Sequence, residues 1–247
     1  MNRTLVPLAV LLLFAGCTQE VAPEERGATT SPSTANRVDC DIRRDAVVAD
    51  HMAGIVIEEP TAVSITQKEK IRHLNELNAT SDVFLGALRA RQLPIKLTGG
   101  GVTTFPELAH LRGQVPRGWE GTGYTWDDVP GTGYTAGVFL GDSAMPNNAW
   151  SLAIHEATHA IDLTLDLSAK SVALSKIYRA ELARPVVAAD SVSSYRRSNV
   201  QEFLAVAADE YFCSRMTRER LQTQYPDAYA FMRDRFDEEI RIALGQE

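Results

Sequence analysis

Residues 151–162 read Ser-Leu-Ala-Ile-His-Glu-Ala-Thr-His-Ala-Ile-Asp, and this stretch decides the fold. Leu152, Ala153, Ile154, Ala160, Ile161 and Leu163 nearly surround the polar positions, so a deeply buried helix is expected. Residues four apart share a helix face, so His155 and His159 can turn both imidazoles on one metal ion. Glu156 stands beside the first ligand, within reach of a water on that ion. Zinc brings such a water's pKa down to about 7, where a carboxylate can take its proton. Two histidines and a carboxylate buried without a partner would be costly. The pattern therefore reads as a zinc site with its own base, rather than as a pair of hydrogen-bonded helix histidines.

A catalytic zinc usually takes three protein ligands and keeps one position for water. Asp162 and Leu165 stand where one large class of zinc peptidases would need a glycine and a third histidine, so that class is excluded. His51, His73 and His110 lie upstream without ligand-like spacing, which leaves a downstream acid as the third ligand. Glu202, in residues 199–206 (NVQEFLAV), opens an apolar helix that can pack beside the histidine helix. Spacing alone leaves the choice open. Asn199 and Glu202 have the spacing of a capping box, in which Glu202 would merely cap its own helix, and Asp209 and Glu210 compete as ligands.

Residues 66–91 carry helical apolar spacing at Ile71, Leu74, Leu77, Phe84, Leu85 and Leu88. Residues 93–98 (LPIKLT) and 136–141 (AGVFLG) read as strands, 105–111 as a short helix, and further helices are expected at about 147–164, 168–183, 199–214 and 226–243. Between the strands, residues 113–135 form a long irregular segment rich in Gly, Pro and aromatics, and loops of that length tend to be functional. Trp119, Tyr124 and Trp126 within it are candidates for lining a substrate cleft, the alternative being that they anchor a surface turn. The strand at 136–141 is expected to pair with an extended substrate. Few strands and many late helices give an α+β fold, a metallopeptidase domain with a small sheet and a predominantly helical C-terminal half. With no repeat or second linker, residues 39–247 read as one domain.

The chain's start is read differently. Arg3 supplies a positive charge, and residues 5–14 are apolar but too short to span a bilayer as a stable anchor. Ala15, Gly16 and Cys17 follow directly. This resembles a bacterial lipobox, where cleavage precedes a cysteine that becomes lipidated, although Phe14 replaces the usual leucine. Residues 1–16 are then a signal peptide, and Cys17 a lipid anchor to the membrane at the cell envelope, facing the periplasm or the exterior. Residues 18–38 (TQEVAPEERGATTSPSTANRV) are too poor in large apolar groups to fold and make 17–38 a flexible tether. Cys40 and Cys213 remain. An oxidising envelope permits a disulfide between them, and two free thiols are the alternative. The 247 residues carry a formal charge of −7, which argues against a nucleic-acid partner. A monomer is expected.

Residues 195–207, Tyr-Arg-Arg-Ser-Asn-Val-Gln-Glu-Phe-Leu-Ala-Val-Ala, resemble the Tyr-x6-Glu-Phe-Phe-Ala segment of the anthrax-lethal-factor-like metallopeptidases, a family that includes the Pro-Pro endopeptidases. Residues 155–162 (HEATHAID) are similar to the same family's zinc helix. So are the loop blocks Pro116-Arg-Gly-Trp119 and Trp126-Asp-Asp-Val-Pro-Gly131, and the tail from Tyr225 to Phe236. The resemblance spans about residues 93–240. It implies zinc held by His155, His159 and Glu202, with Glu156 as base and Tyr195 donating a hydrogen bond to the oxyanion. The family often has a second acid four residues after the ligand, where this chain has Val206. The expected function is that of a lipid-anchored zinc metalloendopeptidase acting on an extended peptide or protein. The alternative is an anchored binding or sensor protein that keeps zinc structurally. Retention of Glu156, which a structural zinc does not need, favours the enzyme.

Overall fold

Side-chain caps set where most helices begin. Thr66 accepts the Glu69 N–H at the head of α1 (Gln67–Asn78), and Ser81 accepts the Phe84 N–H at the head of α2 (Asp82–Ala90). The apolar run of 66–91 is thus two helices, because Thr80 Oγ1 turns back to Leu77 O and Ser81 restarts the chain. Ser151 caps α3 (Leu152–Leu165), which ends on the left-handed residue Asp166. The expected 168–183 helix is likewise broken, by Ser171 capping Leu174 N–H, into α4 (Leu167–Lys170) and α5 (Val172–Ala183). Next come α6 (Val200–Cys213) and α7 (Arg215–Gln224). The apolar pattern did not suggest α7, which offers only Met216 and Leu221 and is started by a Ser214–Thr217 capping box. A turn at Arg235 (φ −130°, ψ −28°), neither helical nor extended, separates α8 (Pro226–Asp234) from α9 (Phe236–Ala243). The computed structural model describes Cys40 and residues 51–116, 120–142, 151–185 and 195–246. All of these belong to the compact unit 35–247. Cys17, Trp119 and the expected helix start at 147 lie outside the described residues.

Four short strands, β1 (Ile57–Glu58), β2 (Ile95–Leu97), β3 (Gly131–Tyr134) and β4 (Gly137–Leu140), form a sheet of order β1-β2-β4-β3. β2 runs parallel to β1 and β4, whereas β3 is antiparallel to β4. Both edges of β4 are bonded, so residues 136–141 cannot take a substrate strand as expected from the sequence. The edge strand beside β4 is β3, hidden in the segment expected to be irregular because Gly-Thr-Gly-Tyr shows no apolar alternation.

Alternation sorts the strand side chains onto two faces. Ile95, Leu97, Val138 and Leu140 enter the main core with Phe84, Ile154, Phe203, Phe212 and Phe236 from the helices. Phe139 points the other way, into a smaller cluster with Val102, Phe105, Leu108 and Val129. Trp126 packs on that cluster and so anchors its loop. Cys40 and Cys213 are joined by a disulfide, tying the start of the unit to the last residue of α6. No helix among the described residues is long and apolar enough to cross a membrane.

Candidate active site

The first turn of α3 is fixed before its histidines are placed. Its start is buried, so its free N–H groups need partners. Asp209 of α6 accepts Ser151 N–H (2.6 Å), and Glu76 of α1 accepts Ser151 Oγ–H (3.0 Å) and Ala153 N–H (3.3 Å). Burial pushes the Glu76 carboxyl up, but His73, Arg72 and Ser151 outweigh it and hold the group below its ordinary 4.5. A folded-state pKa below the unfolded one contributes stability above about pH 4.5, which is lost as pH falls. Glu76→Gln is therefore expected to destabilise the protein at pH 7 by about 1–3 kcal/mol. Thermal melts should show the gap to wild type narrowing as the pH drops below 4.5. A gap independent of pH would contradict this.

His155 and His159 project from the middle of α3 towards Glu202 in the first turn of α6. The two Nε2 atoms are 3.1 Å apart, and each lies 3.1 Å from Glu202 Oε2. These three ligand atoms form the group among the described residues that could hold a metal. A tetrahedral zinc with bonds of 2.0–2.1 Å spaces its ligands about 3.3 Å apart, close to this triangle. A single N–H can serve only one side of the triangle, whereas a cation at its centre serves all three. The electrostatics agree. Burial disfavours a charged His159, yet the Glu202 carboxylate lifts it to about 9. Burial likewise opposes the Glu202 charge, but His159 and His155 hold its carboxyl far below the usual range. The centre is thus built to hold positive charge. His155 Nδ1 is buried and has no hydrogen-bond partner among the described residues.

The capping alternative for Glu202 is resolved by its two ends. Asn199 Oδ1 accepts the Glu202 N–H (2.8 Å), while the Glu202 carboxylate turns to the histidines instead of back to Asn199. The competing acids go elsewhere: Asp209 to Ser151, and Glu210 to Arg196 and Arg220.

Glu156, one residue on from His155, faces the edge strand. Gly133 N–H donates to its Oε2 at 2.9 Å. Burial raises its carboxyl above the ordinary range, against the opposing pull of the two histidines. The approach of α3 to β3 requires glycine, since a Cβ on Gly133 would lie 2.0 Å from Glu156 O. The pairing also orients the outer side of β3. Gly141 N–H bonds Pro130 O, and with Thr132 opposite Phe139 this directs the N–H and C=O of Gly131 and Gly133 away from β4. The alternating glycines just before the histidine helix were the sequence signal for this, read only as irregularity.

Tyr195 stacks on His155, with ring centroids 5.8 Å apart and planes at 30°. Burial, and after it the Glu202 and Glu156 carboxylates, raises its phenol well above the ordinary value, so it keeps its proton and remains a donor. Tyr124 is exposed.

The family model described as "Anthrax toxin lethal factor, N- and C-terminal domain" matches residues 43–235. The chain belongs to the anthrax-lethal-factor-like family. Within it, the chain is similar to the Pro-Pro endopeptidase of Paenibacillus alvei, 40% identical over 153 residues that cover 60% of this chain and 69% of the relative. It is 35% identical to that of Clostridioides difficile over 165 residues, covering 65% of this chain and 73% of the relative. The solved structure of the Paenibacillus alvei enzyme superposes with a TM-score of 0.62 at 32% identity, covering 74% of this chain and 97% of that one. The small sheet and helical second half are thus those of the anthrax-lethal-factor-like fold, and the protein is a zinc-metalloprotease-type endopeptidase.

Proposed function

We propose that the protein is an envelope-anchored endopeptidase that cleaves extended, proline-rich peptides, with zinc held by His155, His159 and Glu202. The observation that carries this is the triangle of ligand atoms with the Glu156 carboxylate fixed beside it by Gly133. Bound zinc supplies Lewis-acid polarisation. The chain's own groups do the rest. Glu156 takes the proton of the attacking water as the oxygen bonds the carbonyl carbon, then passes it to the amine nitrogen as the C–N bond breaks. Its burial raises its hold on a proton, which suits it to this shuttle. The Tyr195 phenol donates to the carbonyl oxygen as negative charge develops there.

The outer side of β3 offers backbone groups to a substrate running alongside. A proline has no N–H, so consecutive prolines present only carbonyls, and the Gly131 N–H is a donor on that side. The names of the two relatives support a Pro-Pro preference. The lipobox-like residues 14–17 support the lipid anchor, and the Cys40–Cys213 disulfide supports an oxidising compartment.

Glu202→Ala is expected to reduce bound zinc from one equivalent to a small fraction of that at micromolar protein, read by metal analysis after dialysis. Unchanged zinc content would remove Glu202 from the ligand set. Cys17→Ser should abolish incorporation of labelled palmitate, and equal labelling would remove the anchor.

A further inference from the structure

Arg196 follows Tyr195 in the chain and is fully buried. Its Nη2 donates to Glu210 Oε2, and its guanidinium lies 4.0 Å from the Tyr225 ring centroid. Its Nε and Nη1 have no hydrogen-bond partner among the described residues. Among the described residues, Glu210 and the Tyr225 face, with the Phe203 ring farther off at 6.0 Å, carry the compensation for burying this charge. The other Glu210 oxygen accepts from Arg220 of α7 at 2.9 Å, and Thr217 Oγ1 donates to the Glu210 carbonyl. The next residue is also fastened. Arg197 donates to the Glu181 and Leu182 carbonyls at the end of α5, both at 2.8 Å, and its own carbonyl accepts from Tyr178.

Glu210 and Glu202 belong to the same helix, two turns apart, so α6 carries both a candidate metal ligand and the anchor of Arg196. We infer that Arg196 is a positioning residue: its buried pairing with Glu210 sets the distance between the Tyr195 phenol and the metal centre by bolting both to α6. An arginine fits this task because its planar fork grips a carboxylate and stacks on a ring at once, which fixes orientation as well as position. The inference rests on the reading of Tyr195 as the oxyanion donor.

The test is a double-mutant cycle on the zinc-loaded protein with a Pro-Pro peptide, reading kcat and KM for wild type, Tyr195→Phe, Arg196→Met and the double variant. Tyr195→Phe should lower kcat roughly 10²–10³-fold with KM little changed. Arg196→Met should lower kcat roughly 10–10²-fold, because a displacement of about 1 Å is enough for that. In the Tyr195→Phe background, Arg196→Met should cost less than about twofold, since there is no phenol left to misplace. A purely structural arginine would give the same loss in both backgrounds. Arg196→Met removes one partner of the buried Glu210 and leaves Arg220 on it, so Arg196→Met with Glu210→Leu, an apolar pair, runs the same cycle without the buried carboxylate. Zinc content and melting temperature accompany each variant. Full activity in Tyr195→Phe would overturn the reading of Tyr195 and this proposal with it. Loss in Tyr195→Phe with full activity in Arg196→Met would overturn the proposal alone, as would losses that multiply. Failure of both Arg196 variants to fold would assign the residue to stability and overturn the positioning role.

Discussion

Glu156→Gln is expected to lower kcat by roughly 10²–10⁴-fold while zinc content and melting temperature stay near wild type. The amide is isosteric and can still accept the Gly133 N–H through its oxygen, so the contact between α3 and β3 survives. The lost function is proton transfer, because an amide neither takes the proton of water nor returns one to an amine. None of the three candidate ligand atoms is on Glu156, so metal binding has no reason to change. Steady-state kinetics with metal analysis on the same preparation checks both halves. Activity within a few-fold of wild type would show that another group is the base.

The second large effect is expected from a single methyl group. In Gly133→Ala the new Cβ would stand 2.0 Å from Glu156 O and 2.7 Å from Ala160 N and His159 Cβ. Two of these three atoms are backbone, so no rotamer relieves the clash, and β3 must move off α3. That displaces the Gly133 N–H from Glu156 and shifts the helix segment bearing His159. Overpacking of this kind costs about 1–3 kcal/mol, and more when backbone must yield. A displacement of about 1 Å at the site costs roughly 10²-fold in rate. Both the melting temperature and kcat should therefore fall. Two other glycines calibrate the effect. The three atoms nearest a Cβ at Gly131 are side-chain atoms of Glu156 and Leu152, at 3.0–3.1 Å, so Gly131→Ala should be milder. A Cβ at Gly86 in α2 meets nothing within 4 Å, and Gly86→Ala should be neutral or stabilising by up to about 1 kcal/mol. Equal behaviour of Gly133→Ala and Gly86→Ala would refute the close packing of β3 on α3.

What could be read from the sequence follows from where the chemistry is local. The spacing of His155, Glu156 and His159 is a property of one helix, so it is visible without tertiary knowledge. The α+β class follows similarly, from two apolar strand runs and a series of helical ones. Glu202 was harder, because its first-turn position suits both a cap and a ligand. The two roles proved separable by atom, the N–H going to Asn199 and the carboxylate to the histidines. Helix breaks at Ser81, Ser171 and Arg235 were missed because apolar spacing runs through them, while caps and backbone angles end the helices. The strand β3 was missed because its two glycines, Gly131 and Gly133, fit against α3 and leave no apolar alternation. The roles of Glu76, Asp209 and Arg196 were beyond sequence reasoning. Asp209 reads from the sequence as a competing ligand and Arg196 as part of the segment of resemblance, but only the fold brings each of the three and its partner, from 14 to 77 positions away, to the same buried place.

The central claim is that this constellation hydrolyses peptide bonds. Its most direct test is digestion of a diverse peptide library, with consecutive prolines represented, by the zinc-loaded protein. The same digestion is run with a chelator and with Glu156→Gln. Wild type is expected to cleave at Pro-Pro-containing sequences, with cleavage abolished by the chelator and by the variant. Absence of any cleavage with zinc shown to be bound, or cleavage that persists equally in Glu156→Gln, would contradict it.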